Sequence, residues 1–281
     1  AFGREEAQAF ALSNNERPPT AFRLVPAGDA ERDVLEELRA AGAELEASRV
    51  ALDAWRVKGA GAVVRNLAAE GLIYIQDEAS QLVAHALGAQ PGELILDACA
   101  APGSKTTHIA ARTSSRAHVV AGDLYEHRLR LVREAVGRQR AATVSLVAYD
   151  AEAALPFKSA LFDRVLVDAP CTGTGTLRRN PEIRWRISPS DIPDLASRQA
   201  SILRNAARAV RPGGRLVYST CSVEPEENEE VVEAFLNERG DFVESALDVP
   251  GRMKVGAGRA RTWPHRDGSD GFFVAAFERR N

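Results

Sequence analysis

The chain has 281 residues, 45% of them hydrophobic, enough for one large domain with a small one beside it. A formal net charge of −3 leaves any nucleic-acid contact to local patches rather than to an overall basic field. No apolar run approaches the roughly 18–20 residues of a membrane span, no signal-peptide pattern is present, and the three cysteines (Cys99, Cys171, Cys221) make no complete disulfide framework; the expected setting is reducing and cytoplasmic.

Neither CxxC nor HxxxH spacing occurs, so no metal site is expected. The chain starts at Ala1 and its one methionine is Met253, so it reads as a piece of a longer protein.

Residues 1–70 differ in pattern from the rest. "TAFRLV" (20–25) alternates like a short strand. "DAERDVLEELRAAG" (29–42) carries Asp29 as a cap, Val34, Leu35 and Leu38 at helical spacing, and Gly42 as a stop. The glycines of "KGAGAVV" are read as a turn, which completes a small α+β module.

From "GLIYIQDEASQLVAHALG" (71–88) the chain enters a larger unit, taken as residues 71–281. "ELILDA" (93–98), "HVVAGD" (118–123), "TVSLVAYD" (143–150), "DRVLVDA" (163–169) and "GRLVYST" (214–220) are near-continuous apolar runs of strand length. Helical patterns lie between them, as with Leu129, Val132 and Val136. This alternation predicts a doubly wound α/β sheet, in which ligands bind beyond the carboxyl ends of the strands. Those ends carry Asp97, Asp123, Asp150, Asp168 and Cys221.

The first strand–helix turn, "LDACAAPGSKTTH" (96–108), matches neither the Walker pattern nor GxGxxG. Its small residues, Ala98, Ala100, Ala101 and Gly103, still let a ligand come close to the backbone, and Asp123 follows where an acid commonly holds ribose hydroxyls. A nucleoside cofactor without a pyrophosphate fits best, with S-adenosyl-L-methionine the obvious candidate.

Two of the three cysteines stand at strand ends. Cys171 follows Asp-Ala-Pro. Cys221 lies in Ser-Thr-Cys-Ser before a helix expected to start at Pro225. A helix N-terminus favours a thiolate, while Glu224, Glu226, Glu227 and Glu229 oppose it and are read as helix-start acids that complement the dipole. Spacing alone leaves the attacking cysteine open. Local charge is concentrated in "LRRNPEIRWRI" (177–187), with four arginines around Trp185, and in "GRMKVGAGRARTWPHR" (251–266). Such clusters suit phosphates and bases, although on charge alone solvated surface is the favoured account.

"LDACAAPGSKTTH", "DRVLVDAPCTGTGTLRRNPEIRW", "GGRLVYSTCSVEPEENEEVV" and "DGSDGFFVAAF" together resemble the Sun-type RNA (cytosine-5) methyltransferases, in the family's order and across residues 71–281. That family includes the bacterial 16S rRNA cytosine-5 methyltransferase of the Sun/RsmB kind and the eukaryotic Nop proteins. "GREEAQAFALSNNERPPTAFRL" (3–24) is similar to the small RNA-recognition-like module that precedes its catalytic domain, and bacterial members often carry a further helical domain upstream.

The resemblance implies a Rossmann-like S-adenosylmethionine-dependent methyltransferase sheet with a small α+β RNA-binding module, over 71–281 and 1–70. It implies a cofactor site on Cys99, Ala100, Ala101, Pro102, Gly103, Ser104 and Lys105, with Asp123 on the ribose, Asp150 near the adenine and Asp168 by the methyl end. It also implies that Cys221 attacks carbon 6 of cytosine and Cys171 assists release. Asp168 then serves the N3 side or the cofactor, and Lys105 stands near the base.

Arg178, Arg179, Arg184, Trp185 and Arg186 are the expected RNA contacts. RNA is the expected partner, 16S rRNA ahead of tRNA, for a monomeric enzyme without metal. His85, His108, His118 and His127 are read as structural, and His265 as a weaker RNA candidate. Where the family has Ala-Pro-Gly-Gly-Lys, this chain has Ser104 at the second glycine. A left-handed conformation there would cost of order 1 kcal/mol. A non-catalytic RNA-binding assembly factor and a nicotinamide-dependent oxidoreductase are the rival readings, the second disfavoured by the missing GxGxxG.

Overall fold

The computed structural model describes residues 3–25 and 30–281, and for residues 30–32 the backbone only; Asp29, the expected helix cap, lies outside this range. After a first helix, α1 (Arg4–Ser13), the chain runs β1 (Thr20–Leu24), α2 (Ala30–Ala40), β2 (Glu44–Ala47), β3 (Ala54–Lys58), α3 (Gly61–Glu70) and β4 (Ile73–Ile75). The strands form an antiparallel sheet in the order β2-β3-β1-β4, so the small sheet takes in residues beyond 70. Phe22 and Leu24, two apart on β1, share one face and meet Val34 and Leu38 of α2 and Val64 and Leu67 of α3. Each such side chain contributes about 1.5–3 kcal/mol on burial. The expected turn at "KGAGAVV" shrinks to Gly59 and Ala60, because Gly61 already opens α3.

The larger unit begins with α4 (Glu78–Leu87), capped by Asp77, which accepts the Ala79 N–H. It continues through β5 (Leu94–Asp97), α5 (Ser104–Arg112), β6 (His118–Asp123), α6 (Glu126–Arg138), β7 (Val144–Ala148) and β8 (Phe162–Asp168). A 3₁₀ turn (Thr174–Thr176), α7 (Ile183–Arg186), α8 (Asp191–Ala209) and β9 (Val210–Thr220) follow. The chain then makes α9 (Glu229–Glu238), β10 (Phe242–Glu244), β11 (Arg259–Thr262), α10 (Pro264–Asp267) and β12 (Phe272–Arg279).

Among the described residues the sheet has eight strands in the order β10-β12-β9-β8-β5-β6-β7, with β11 paired to β12. β7, β6, β5, β8 and β9 are parallel, whereas β12 is antiparallel to β9 and β10. The expected doubly wound sheet is present and Rossmann-like.

The continuous apolar runs have a simple cause. Side chains alternate across a strand, and both faces here are covered. Leu166 of β8 and Val217 of β9 pack with Leu82, Val83 and Leu87 of α4 on one face. Val165, Val167, Leu216 and Tyr218 pack with Ile202 and Leu203 of α8 and Val232 and Phe235 of α9 on the other. β5 pairs with β6 on one side and β8 on the other, so the winding reverses there and opens a crevice beyond the strand ends.

The expected helix start at Pro225 is corrected. Pro225–Glu227 is a single 3₁₀ turn, and α9 begins at Glu229.

Candidate active site

The β5–α5 turn builds one wall of the crevice. Gly103 has φ +103°, and a Cβ on it would lie 3.0 Å from Val132 Cα, so glycine is required by backbone and packing alike. Ser104 is the first residue of α5 and is not among the positive-φ residues, so the strain anticipated for it does not arise. Asp123 closes the loop onto β6: one oxygen accepts the Ala101 N–H at 3.2 Å, and the other lies 3.3 Å from the Tyr125 N–H and 3.4 Å from the Arg128 guanidinium.

Asp97 at the end of β5 is fully buried. Its Oδ2 accepts the Thr106 hydroxyl at 2.7 Å, its Oδ1 has no partner, and burial pushes its carboxyl up to about 7. Burial likewise raises the Cys99 thiol, which makes it a packing residue rather than a reactive one. Asp150 lies exposed two residues past β7 and caps a turn by accepting the Glu152 N–H at 2.8 Å.

The other wall comes from β8 and β9. Asp168 Oδ2 pairs with Lys105 Nζ at 2.8 Å, and its Oδ1 accepts the Ser219 hydroxyl at 2.7 Å from the neighbouring strand. Burial alone would lower the Lys105 ammonium, but Asp168, with Cys221 and Asp97, lifts it above its ordinary value. Lys105 Nζ also lies 5.3 Å from the centre of the Phe272 ring.

Cys171 Sγ stands 3.4 Å from Cys221 Sγ. The hydrogen bond to Cys221, burial and the nearby Glu227 carboxylate together push the Cys171 thiol well above its usual range. The loops carrying the two thiols touch through backbone. Gly175 N–H donates to the Cys221 carbonyl at 2.9 Å, and Gly271 N–H donates to the Gly175 carbonyl at 2.8 Å.

Glu227 is no exposed helix-start acid. It is fully buried and accepts hydrogen bonds from Thr172, Ser222 and Gln199. A run of five acids hides it in the sequence, since only its contacts distinguish it from Glu224, Glu226, Glu229 and Glu230.

The arginine cluster divides. The Arg178 side chain is 5% exposed and is held by Asp270 at 3.0 Å and the Gly268 carbonyl at 3.0 Å. Arg179 bridges Asp270 and Asp77, each at 2.8 Å. These two are structural cations first, a use that charge alone did not reveal. Arg184 donates to the Asn14 carbonyl at 2.8 Å, while Arg186 is exposed and Trp185 is 77% exposed. The His265 side chain is packed against Glu6 and Phe10. His85 and His108 are buried edge to face at 5.2 Å, and burial lowers both rings, His85 to about 4. Among the described residues no group of three or more His, Cys, Asp or Glu is placed to hold a metal ion.

The family model described as 16S rRNA methyltransferase RsmB/F matches residues 84–278. The chain belongs to this family. A relative in Bacillus subtilis, named as a probable ribosomal RNA small subunit methyltransferase B, is 37% identical over all of this chain. The chain spans 64% of that relative's length. Among solved structures, a methyltransferase homologue from Pyrococcus horikoshii superposes with a TM-score of 0.82 at 28% identity, over 98% of this chain and 91% of its own. The NSun6 structure from the same organism, solved with SFG, gives a TM-score of 0.86 over 100% of this chain and 96% of its own, and at 21% identity shows the shared fold alone.

Proposed function

We propose that this chain transfers a methyl group from S-adenosylmethionine to carbon 5 of a cytosine in RNA, 16S rRNA in particular, with Cys221 bonded to carbon 6 during the transfer. The observation that carries the reading is the pair of thiols 3.4 Å apart, on neighbouring strand ends beside a half-buried Lys105–Asp168 ion pair. The family description supports rRNA as the substrate.

The residues fit the cofactor. The small-residue loop from Cys99 to Lys105 suits a nucleoside against its backbone, Asp123 is the carboxylate for the ribose, and the exposed Asp150 is the one for the adenine. Asp97 Oδ1, buried and unpartnered, has the unmet capacity that an ammonium or hydroxyl of that cofactor would fill. When bound, the cofactor supplies an electrophilic methyl on sulfur.

The protein's part is to make carbon 5 nucleophilic. Addition of the Cys221 thiolate to carbon 6 forms the S–C6 bond and turns the ring into an enamine. Negative charge then builds at N3 and O2. Asp168 has both oxygens engaged as acceptors, so the neighbouring Lys105 ammonium is the donor for that charge, and Asp168 holds it in place. The same ammonium interacts favourably with the Cys221 thiolate, whereas the Glu227 carboxylate opposes a charge on Cys171; this favours Cys221 as the attacking group. After transfer the carbon 5 proton leaves to water, the C5=C6 bond re-forms, and sulfur departs with its electron pair. Cys171, still a thiol, donates a hydrogen bond to that departing sulfur.

RNA containing 5-fluorocytidine tests this, because fluorine cannot leave as a proton. With S-adenosylmethionine, the unchanged protein and Cys171→Ala are expected to give a denaturation-resistant adduct, and Cys221→Ala none. An adduct that needs Cys171 instead would reverse the two roles. No adduct on rRNA or tRNA, with S-adenosylhomocysteine still bound, would favour an RNA-binding assembly factor.

A further inference from the structure

Cys171 and Cys221 are 50 residues apart and leave the sheet from different strands, so their spacing depends on what joins the two loops. One buried side chain is shared by both. Glu227 Oε1 accepts the Thr172 N–H at 2.9 Å and the Gln199 side-chain N–H at 2.8 Å. Its Oε2 accepts the Thr172 hydroxyl at 2.5 Å and the Ser222 hydroxyl. Thr172 directly follows Cys171, and Ser222 directly follows Cys221.

The residue is itself anchored. Tyr218 OH donates to the Glu227 carbonyl at 2.6 Å, and Asn228 donates to the Ser222 carbonyl at 3.0 Å while accepting from Thr220. All four donors to the carboxylate are neutral, so no ion pair accounts for a buried acid here. A carboxylate offers about four acceptor sites on one rigid plane, more than a neutral side chain supplies.

We infer that Glu227 is a positioning residue, which fixes the two thiols at contact distance by tying the Cys171–Thr172 loop to the Cys221–Ser222 loop. The inference rests on the cysteine chemistry proposed above. The same carboxylate also disfavours a second negative charge at the pair, in keeping with one thiolate beside one thiol.

Two readouts test it, one of them independent of RNA. Phenylarsine oxide bridges two thiols only when they lie close together, forming two As–S bonds and releasing water. The unchanged protein is expected to capture it and to lose capture in Cys171→Ala. Glu227→Ala is expected to weaken capture at least tenfold and to slow the 5-fluorocytidine adduct by a similar factor or more, with S-adenosylhomocysteine binding unchanged. Glu227→Gln keeps an acceptor for the two N–H donors and can donate to the two hydroxyls, so it is expected to restore both readouts to within about threefold. Capture in Glu227→Ala equal to that of the unchanged protein would overturn the inference. So would a Glu227→Gln variant as poor as Glu227→Ala, since charge rather than placement would then be the cause. If Glu227→Ala does not fold, the Thr172→Val/Ser222→Ala double variant carries the same expectation. Capture that depends on Glu227, in a protein that forms no adduct at all, supports the positioning role and sinks the cytosine reading instead.

Discussion

Asp97 and Glu227 are both buried carboxylates near the crevice, yet they differ in the number of donors that reach them. Glu227 has four donors, while Asp97 has the Thr106 hydroxyl on one oxygen and nothing on the other. Burial therefore lifts Asp97 to about 7 from its ordinary value of 3.8. A raised carboxyl means that the folded state holds a proton the unfolded chain has released. Its stabilising contribution is complete below about pH 4 and is lost as pH rises through about 7, at about 1.4 kcal/mol per pH unit. Without cofactor, Asp97→Asn is expected to melt higher than the unchanged protein at pH 8, by a margin that shrinks at pH 5 and is gone near pH 4. Thermal melts at the two pH values check it; a variant that melts lower at pH 8 would mean the ionised group is stabilised in the fold. At this scale the strand-end acids and cysteines were legible because position along an apolar run names them. Glu227, by contrast, was one acid in a run of acids, and Arg178 and Arg179 were two cations in a cluster. Only long-range contacts separate those from surface charge.

The loops that carry the chemistry are held by backbone as much as by side chains. A Cβ on Gly175 would stand 2.0 Å from the Gly271 carbonyl oxygen and 2.8 Å from that of Cys221. The 3₁₀ turn, the end of β9 and the start of β12 thus meet at a point with no room for a methyl group. Gly175→Ala is expected to cost at least about 1–3 kcal/mol and to slow adduct formation by displacing the Cys221 segment. Denaturant unfolding, read beside the adduct rate, measures both, and an unchanged midpoint would contradict the close approach. The parallel strands could be read directly, because burial on both faces leaves a continuous apolar run that loops do not imitate. Pairing direction could not. "FFVAAF" looks like any buried strand, and nothing in it tells that β12 runs antiparallel between β9 and β10. The break between the 3₁₀ turn at Pro225–Glu227 and α9 was equally hidden, since proline and acids suit a helix start as well as a single turn.

Across the whole molecule, the small sheet and the large one are joined by buried polar ties. Arg23 of β1, 1% exposed, donates to Thr107 of α5 at 3.0 Å, and Arg56 of β3 pairs with Glu78 of α4 at 2.7 Å. Asp77, where the chain passes between them, meets Arg179 at 2.8 Å, and Asp270 holds both Arg178 and Arg179. Asp270→Ala would leave Arg178 with the Gly268 carbonyl and, as counter-charge, Asp77 3.8 Å away, so a loss of about 3 kcal/mol or more is expected in denaturant unfolding. A loss below 1 kcal/mol would show that the network is solvated in practice. The arrangement of β12 carries a different consequence, one of timing. This strand, residues 272–279, is an interior member of the sheet, and Phe273 and Phe277 are fully covered once it is in place. During synthesis β9 is made more than fifty residues earlier, and its outer edge stays an open row of peptide groups until residue 279 emerges. A nascent chain is therefore an unfinished sheet with a sticky border, in need of shielding. A premature stop before residue 272 is expected to yield an aggregating chain rather than a folded but less stable one.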